Sequence, residues 1–268
     1  MGALVKPILN ETSQAGPESC TISAIGIDFK GDNTMPHLLI SGGTRGIGRA
    51  CAELFARQGY KVSSLSRSGR PDDAIEGVDY YACDIKDFEN VASCVNSALE
   101  KNGHIDVLIS NAGISVTGLA QDMKYRDYRD VMDTNFGGLF NLANAVIPDM
   151  VQQKRGVILA VSSMWGQTGA SCESLYSASK GAVDSYVKAL AKELGPSGIR
   201  VNAVSPGATE TDMMKCFGED DRRAICEDTP VGRLGEPSEI AEMLYFLQSD
   251  KASFITGQVI GVNGGYLI

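Results

Sequence analysis

Short apolar runs alternate with longer stretches of helical periodicity along most of the chain. Such runs are typical of strands buried on both faces of a parallel sheet, and an apolar stripe every three or four residues is typical of helices packed on it. The pattern predicts strands at 37–40, 61–65, 78–83, 105–109, 157–161, 199–204 and 258–262, and helices ending at 58 and covering 88–101, 125–153, 175–194 and 237–248. Because strand and helix alternate about seven times without an internal repeat, we predict a single α/β domain, with a doubly wound parallel sheet of about seven strands and helices on both faces.

Residues 1–34 have a different composition, rich in Ser, Thr, Gly, Pro and Asn, with one short apolar stretch at 22–29. We interpret them as an N-terminal extension to a domain at 35–268, either poorly ordered or not part of the native start. Two interpretations stay open: translation begins at Met35, or the segment is a genuine flexible tail. A binding arm or targeting peptide is disfavoured, because the segment has few arginines and carries acids at 11, 18, 28 and 32.

Charge and cysteine usage exclude several classes of function. A net charge of -9 argues against DNA or an anionic membrane as a partner, since either needs a basic face. The seven cysteines lack the close spacing of metal or redox motifs, so we expect no metal site and a reducing, cytoplasmic setting. No apolar run is long enough to span a bilayer, and no signal peptide is recognisable.

A glycine-rich turn follows the first predicted strand. Residues 41–48 spell Ser-Gly-Gly-Thr-Arg-Gly-Ile-Gly, with the spaced glycines at 42, 46 and 48. These glycines let a pyrophosphate approach the backbone, and the helix that begins near Ile47 points its positive N-terminal dipole at that phosphate. The spacing departs from the common G-x-G-x-x-G pattern, and a plain tight turn is the alternative. Its place between the first strand and the first helix favours a Rossmann-type dinucleotide site.

The end of the second strand indicates which nicotinamide cofactor binds. An acidic residue there would hold a ribose 2′-hydroxyl, whereas a basic residue accommodates a 2′-phosphate. This strand ends with Ser66 and Arg67, no acid follows until Asp72, and Arg45 in the glycine loop is a second cation. The alternative is a pair of solvated surface arginines. We predict NADPH (NADP+ in the reverse direction) rather than NADH.

Three residues suggest acid–base chemistry on a carbonyl group. Tyr176 and Lys180 are four residues apart on a predicted helix and therefore share one face. An ammonium beside a phenol favours the phenolate, so we expect Lys180 to lower the pKa of Tyr176. Upstream, Ser163 follows a buried-type strand at the sheet edge where parallel α/β proteins bind ligands, and its hydroxyl could polarise a substrate carbonyl.

The combination of motifs resembles the short-chain dehydrogenase/reductase family. The glycine loop, Asn111-Ala112-Gly113, Asn135, Ser163, Tyr176-Ser177-Ala178-Ser179-Lys180 and Pro206-Gly207 occur in the order of that family, from about residue 36 to the C-terminus. Within the family, the resemblance is greatest to bacterial 3-oxoacyl-(acyl-carrier-protein) reductases, through residues 200–207, 210–213 and 257–265. Two departures are small: Ser41 replaces the usual threonine, and Ser110 replaces an asparagine.

The resemblance implies roles for individual residues. Tyr176 would protonate the ketone oxygen, Lys180 would bind the nicotinamide ribose, and Ser163 would orient the carbonyl. Asn135 would kink its helix and hold a water that links Lys180 to solvent. The implied cofactor contacts are Gly42, Thr44, Arg45, Gly46, Ile47, Gly48, Ser66, Arg67, Asp84, Ile85, Asn111, Ala112, Gly113, Tyr176, Lys180, Pro206, Gly207, Thr209 and Thr211. Among these, Asp84 and Ile85 would lie at the adenine, and Thr211 at the nicotinamide carboxamide.

The implied reaction is NADPH-dependent reduction of a ketone to a secondary alcohol, with a 3-oxoacyl group on the acyl-carrier protein of fatty-acid synthesis as the substrate. That carrier is acidic, so we expect Lys154, Arg155 and Lys192 to supply docking cations near the active-site mouth. Residues 213–226 lie where family members carry a mobile lid, with Met213, Met214 and Phe217 as its apolar face. Trp165 belongs either to the substrate loop or to the packing. Family members commonly form homotetramers or dimers.

Two alternatives remain. The first is a dehydrogenase of a small alcohol, sugar or hydroxysteroid, since such enzymes share all these motifs. The second is a non-catalytic dinucleotide-sensing protein. A sensor would be expected to lose Tyr176 or Lys180, and both are present.

Overall fold

The computed structural model describes residues 35–268, and the predictions about residues 1–34 lie outside the described residues. The strands are β1 His37–Ser41, β2 Lys61–Ser66, β3 Val78–Ala82, β4 Val107–Ser110, β5 Gly156–Val161, β6 Ile199–Pro206 and β7 Val259–Val262. The helices are α1 Gly46–Arg57, α2 Phe88–Asn102, α3 Tyr125–Met132, α4 Gly138–Gln153, α5 Met164–Thr168, α6 Ser174–Leu194, α7 Glu219–Asp228 and α8 Pro237–Gln248.

All seven strands form one parallel sheet in the order β3-β2-β1-β4-β5-β6-β7. The chain first builds outward from β1 to β3 and then crosses back to lay β4 on the other side of β1. The order therefore reverses between β1 and β4, where ligands bind in open α/β sheets, beyond the carboxyl ends of the strands. The predicted doubly wound Rossmann-type sheet is confirmed.

Each face of the sheet carries its own buried apolar core, as the alternation of side chains along a strand requires. On β1, Leu38 and Ile40 pack with α1 and α8 on one face. Leu39 points the other way and packs with α2, α4 and α6. Helices on both faces are thus confirmed. Among the helices of residues 35–268, none has the length and apolarity needed to cross a bilayer.

The helix predicted over 125–153 is present, but it is not regular throughout, and its irregularity lies at Asn135, where the resemblance implied a kink. The helix is interrupted by a π-helical turn at Asp133–Gly137, which separates α3 from α4. A π turn inserts one extra residue into the helical ladder and re-aims the side chains within it. Here the extra residue turns Asn135, which is 3% exposed, toward the loop that follows β4. The π turn therefore directs the Asn135 side chain to the loop after β4, whereas in a regular α-helix it would point in another direction.

Candidate active site

All the sequence-predicted site residues lie at the carboxyl edge of the sheet or on the helices that begin there. They follow β1 (42–48), β2 (66 and 67), β3 (84 and 85), β4 (111–113), β5 (163) and β6 (206–211), with Asn135 on the π turn and Tyr176 and Lys180 on α6. A parallel sheet brings these loops together because every strand ends at the same edge.

The glycine loop is held by hydrogen bonds from the end of β4. The Ser41 hydroxyl accepts from the backbone N–H groups of Asn111 at 3.0 Å and Ala112 at 3.1 Å. In return, the Asn111 amide donates to the backbone oxygens of Ser41 at 3.1 Å and Gly42 at 3.2 Å. The Asn111 side chain thus fixes the loop from behind, and the serine that departs from the family pattern still supplies the hydroxyl that this arrangement needs.

The start of α1 fits an anionic ligand. Its N-terminal end has no side-chain cap and no acidic residue in the first turn, so N–H groups that a helix leaves unsatisfied remain available. Together with the helix dipole, these groups favour a phosphate. Gly48 allows α1 to begin this close to the loop, because a Cβ there would lie 2.1 Å from the Gly42 oxygen. The residues present therefore fit the pyrophosphate of a dinucleotide.

The two arginines predicted to meet a 2′-phosphate differ in their surroundings. Arg45 donates to Asp212 at 3.3 Å, and both side chains are largely exposed. Arg67 is exposed at the end of β2, and no carboxylate within residues 35–268 forms an ion pair with it. Arg67 therefore keeps its full charge for a ligand, whereas Arg45 would first have to leave Asp212.

The residues predicted to lie at the adenine and at the nicotinamide follow β3 and β6, and several of their polar groups are already engaged within the protein. Asp84 accepts from the Lys86 N–H at 3.1 Å, and the Ile85 oxygen accepts from Asn141 at 2.9 Å. On the other side, the Thr209 hydroxyl donates to the Gly207 oxygen at 3.0 Å, and Thr211 packs against the glycine loop. Contacts of these residues with a cofactor stay a prediction.

Ser163, Tyr176 and Lys180 converge beyond β5. Ser163 caps α5, its hydroxyl accepting from the Trp165 N–H at 3.2 Å, and it is close enough to Tyr176, in the first turn of α6, to act on the pKa of that phenol. The Lys180 ammonium is buried, donates to the Val161 oxygen at 2.7 Å and lies 5.7 Å from the centre of the Tyr176 ring. Because an ammonium has three donors, two remain for a ligand.

Lys180 was expected to lower the pKa of Tyr176, but in this structure burial dominates that pKa, and the contribution of Lys180 stays a prediction. Burial raises the pKa of Tyr176 to about 12, with hydrogen bonding to Ser163 acting in the opposite direction and the Glu173 carboxylate adding to the rise. Burial also lowers the pKa of Lys180 to about 8. The physical reason is that both groups lie out of water and the ammonium faces the Val161 oxygen rather than the phenol. Tyr176 is therefore a neutral phenol at neutral pH, which is the form that donates a proton.

Asn135 is more fully occupied than the resemblance implies. Its amide oxygen accepts from the Ile114 N–H at 2.8 Å, and its NH₂ group donates to the Ile114 oxygen and to the Ser179 hydroxyl, each at 2.9 Å. Three of the four hydrogen bonds that an amide can make are thus used. One lone pair is left, so a water link to Lys180 remains a prediction that depends on that single position.

Sequence reasoning missed two carboxylates beside the site. Glu173, three residues before Tyr176, accepts hydrogen bonds from Ser115 at 2.6 Å and from Thr117 at 3.4 Å, and so ties the β4 loop to the start of α6. No sequence signal distinguishes Glu173 from an ordinary surface acid. Asp184 is buried one turn beyond Lys180, and that four-residue spacing on a predicted helix was a usable signal. Within residues 35–268, no three His, Cys, Asp or Glu side chains are grouped to hold a metal ion.

The lid segment is partly as expected. Residues 212–216 form a 3₁₀ turn and α7 follows, a helix that the sequence pattern did not indicate. Met213 and Phe217 are exposed, but Met214 is buried, so the prediction that it shares their apolar face is wrong. Trp165 packs edge-to-face on Tyr266, with ring centres 5.6 Å apart, so it has a packing partner two residues beyond Ser163.

The prediction of docking cations at the mouth is wrong for all three residues. Lys154 and Arg155 precede β5, so they lie at the amino edge of the sheet, and the Lys154 oxygen approaches Gly198 before β6. Lys192 is near the end of α6, about 18 Å along the helix from Lys180. The error arises because proximity in sequence to a catalytic strand or helix does not specify which end of it a residue occupies.

Comparison with known proteins agrees with this geometry. A family model described as enoyl-(acyl carrier protein) reductase matches residues 42–267. The 3-oxoacyl-(acyl-carrier-protein) reductase of Thermotoga maritima is 40% identical over 238 residues, 86% of this chain and 97% of that protein.

Two solved structures have the same fold. The 3-ketoacyl-(acyl-carrier-protein) reductase of Brucella melitensis, complexed with NADH, is 32% identical with a TM-score of 0.82, covering 88% of this chain and 99% of that one. The aldohexose dehydrogenase of Thermoplasma acidophilum is 30% identical with a TM-score of 0.81, covering 87% and 94%. The chain therefore belongs to the short-chain dehydrogenase/reductase family and is an NAD(P)-dependent oxidoreductase.

Proposed function

We propose that this chain uses NADPH to reduce a ketone to a secondary alcohol, and that its substrate is a 3-oxoacyl group carried on an acyl-carrier protein. The observation that carries the proposal is the convergence of Ser163, Tyr176 and Lys180 at the same edge of the sheet as the uncapped start of α1. The named relatives from Thermotoga maritima and Brucella melitensis support the acyl substrate.

The chain's own residues account for the proton side of the reaction. A bound nicotinamide cofactor supplies the hydride to the carbonyl carbon. Ser163 donates a hydrogen bond to the carbonyl oxygen and holds it beside the Tyr176 phenol, which transfers its proton to that oxygen. The phenolate that forms is stabilised by the buried Lys180 ammonium, whose charge acts strongly because water is excluded.

Preference for NADPH rests on Arg67, which forms no ion pair with a carboxylate among residues 35–268. We expect Arg67→Ala to raise the KM for NADPH roughly 10- to 100-fold, since a hydrogen bond to a charged group contributes about 1.5–3 kcal/mol. The KM for NADH should not change. Arg70→Ala is the matched control, because Arg70 lies over the Tyr80 ring nearby, 5.8 Å from its centre. Equal losses with both cofactors would remove Arg67 from the discrimination.

A second candidate is a reductase or dehydrogenase whose substrate is not attached to a carrier protein. The misplaced cations favour it, since Lys154, Arg155 and Lys192 are not at the mouth. The lid does not compensate, because Lys215, Arg222 and Arg223 are paired with Asp212, Glu210 and Asp220. The similarity to an aldohexose dehydrogenase points the same way.

The remaining proposals concern the whole molecule. Residues 35–268 would be the catalytic domain, working in the cytoplasm as a homotetramer or dimer. An exposed aromatic surface on α3 and α4, formed by Tyr125, Tyr128 and Phe140, is consistent with subunit contacts. Light scattering of the purified chain measures the subunit number, and a monomer at all concentrations would contradict the proposal.

The decisive assay follows NADPH oxidation with three substrates: acetoacetyl-acyl-carrier protein, acetoacetyl-coenzyme A, and a carrier-free panel of sugars and ketosteroids. We expect the highest kcat/KM with the acyl-carrier protein. Equal rates with both thioesters would reject carrier docking but keep the acyl chemistry. Turnover of the panel alone, in wild type but not in Tyr176→Phe, would establish the second candidate.

A further inference from the structure

Asp184 is a buried carboxylate that the proposed reaction does not use. It lies on α6 one turn beyond Lys180, and its side chain is 5% exposed against 4% for Lys180. A carboxylate out of water is destabilised by several kcal/mol unless it is paired, and removing its partner leaves an uncompensated charge. The contacts of Asp184 therefore indicate what holds it there.

The first contact is with the strand end that carries the catalytic serine. The Ser162 hydroxyl donates to the Asp184 carboxylate at 2.5 Å, and the Lys180 ammonium donates to the Val161 oxygen at 2.7 Å. Two successive residues before Ser163 are thus held by two successive turns of α6. The position of the Ser163 hydroxyl therefore depends on both hydrogen bonds.

The second contact is with α5, which packs against α6 at Lys180 and Asp184. Gly166 lies so near α6 that a Cβ there would be 2.8 Å from the Lys180 carbonyl carbon and 3.1 Å from the Asp184 carboxylate. The two helices are therefore in close contact beside the carboxylate. Because Asp184 and Lys180 are both buried, the charge of Asp184 acts on Lys180 more strongly than it would at the surface.

Few charged groups share this environment. Burial raises the pKa of Asp184 above its ordinary value, while the Ser162 hydrogen bond and the charges of Lys188 and Lys180, both on α6, act in the opposite direction. Ser162, just after β5, and Gly166, on α5, lie against the carboxylate, and neither carries a charge. For Lys180, Asp184 is the group that opposes the effect of burial.

We propose that Asp184 is a positioning residue of the active site, which fixes the Ser163 strand end through Ser162 and keeps the Lys180 ammonium charged. The proposal rests on the proposed function, because it assigns Lys180 a charged role in catalysis. Burial lowers the pKa of Lys180 to about 8, and Asp184 keeps it from falling further. Loss of the carboxylate should therefore make Lys180 neutral at a lower pH.

The test is the pH profile of kcat/KM for ketone reduction by Asp184→Asn. We expect its basic limb to move to lower pH by about one pH unit or more, the effect typical of losing one nearby opposite charge. Asp184→Leu, which introduces no new polar group, should show the same movement. Val187→Ala is the matched control, because Val187 is buried on the same helix and carries no charge or polar side-chain atom. The basic limb of the pH profile of Val187→Ala should lie at the same pH as that of the wild type.

The outcomes separate this inference from the proposed function. If Tyr176→Phe is inactive but both Asp184 variants keep the wild-type limb, the positioning role is wrong and the proposed function stands. If the wild type reduces no ketone with NADPH, the proposed function itself is wrong. Failure of both Asp184 variants to fold would show a structural residue and would also overturn the inference.

Discussion

The two halves of α6 differ in the side chains that they bury. Residues 174–184 bury Val183 of the core together with three polar residues, Ser179, Lys180 and Asp184, which make hydrogen bonds to neighbouring segments. Residues 185–194 bury Val187 and Leu190, together with further apolar side chains of the core on that face of the sheet.

The difference indicates that one half of α6 contributes stability and the other half carries the candidate catalytic groups. Burying ionisable groups destabilises a fold unless each is paired, whereas burying an aliphatic side chain stabilises it by roughly 1.5–3 kcal/mol. The second half therefore anchors the helix that carries the chemically active first half. Substitutions in the two halves should affect different observables.

The largest effect is expected from Tyr176→Phe. Loss of the proton donor should lower kcat for ketone reduction by about 100- to 10,000-fold, the range typical of a positioned general acid. NADPH affinity and the Tm should change little, since the ring remains. Steady-state rates, nicotinamide fluorescence and thermal unfolding measure the three quantities. A parallel loss of Tm would mean that both halves of α6 act structurally.

Leu190→Ala should produce the reverse result. Removing a buried leucine side chain lowers the free energy of unfolding by about 2–5 kcal/mol. At temperatures where the variant is folded, kcat should match the wild type, because Leu190 lies far along α6 from Tyr176. Denaturant unfolding and an assay at low temperature check both points. A large loss of kcat in the folded variant would mean that residues 185–194 contribute to turnover as well as to stability.

The pH dependence sharpens the comparison further. Lys180 is charged below its pKa of about 8, and Tyr176 is neutral below its pKa of about 12. If reduction needs an ammonium and a phenol, kcat/KM should fall about tenfold per pH unit above roughly pH 8, set by Lys180. A profile that stays flat to pH 10 would mean that the charge of Lys180 is not required.

The smallest effect is expected from Lys192→Ala, near the end of α6. Lys192 is exposed and about 18 Å from Lys180 along the helix, so the KM for an acyl-carrier-protein substrate should not change. A raised KM would mean that the carrier extends across the helix to the amino edge.

The sequence predicted most of the fold and the placement of the site residues. Apolar runs and helical stripes depend on local periodicity, so the sheet and its helices were recognisable. The π turn was not, because one inserted residue barely disturbs the apolar pattern on either side of Asn135. The helix α7 was missed because it buries no residue.

The electrostatics of the site could not be predicted in the same way. The pKa of Tyr176 depends on burial and on the direction of the Lys180 ammonium, which faces Val161. Neither follows from four-residue spacing. Likewise, the position of Lys154 at the amino edge depends on the direction in which the chain enters β5.

The most direct test of this account is to assay Tyr176→Phe and Leu190→Ala side by side, measuring ketone reduction with NADPH and the Tm of the same preparations. The account predicts that Tyr176→Phe keeps the wild-type Tm and loses turnover, while Leu190→Ala loses Tm and keeps turnover. Turnover by Tyr176→Phe at the wild-type rate would contradict the assignment of the catalytic centre.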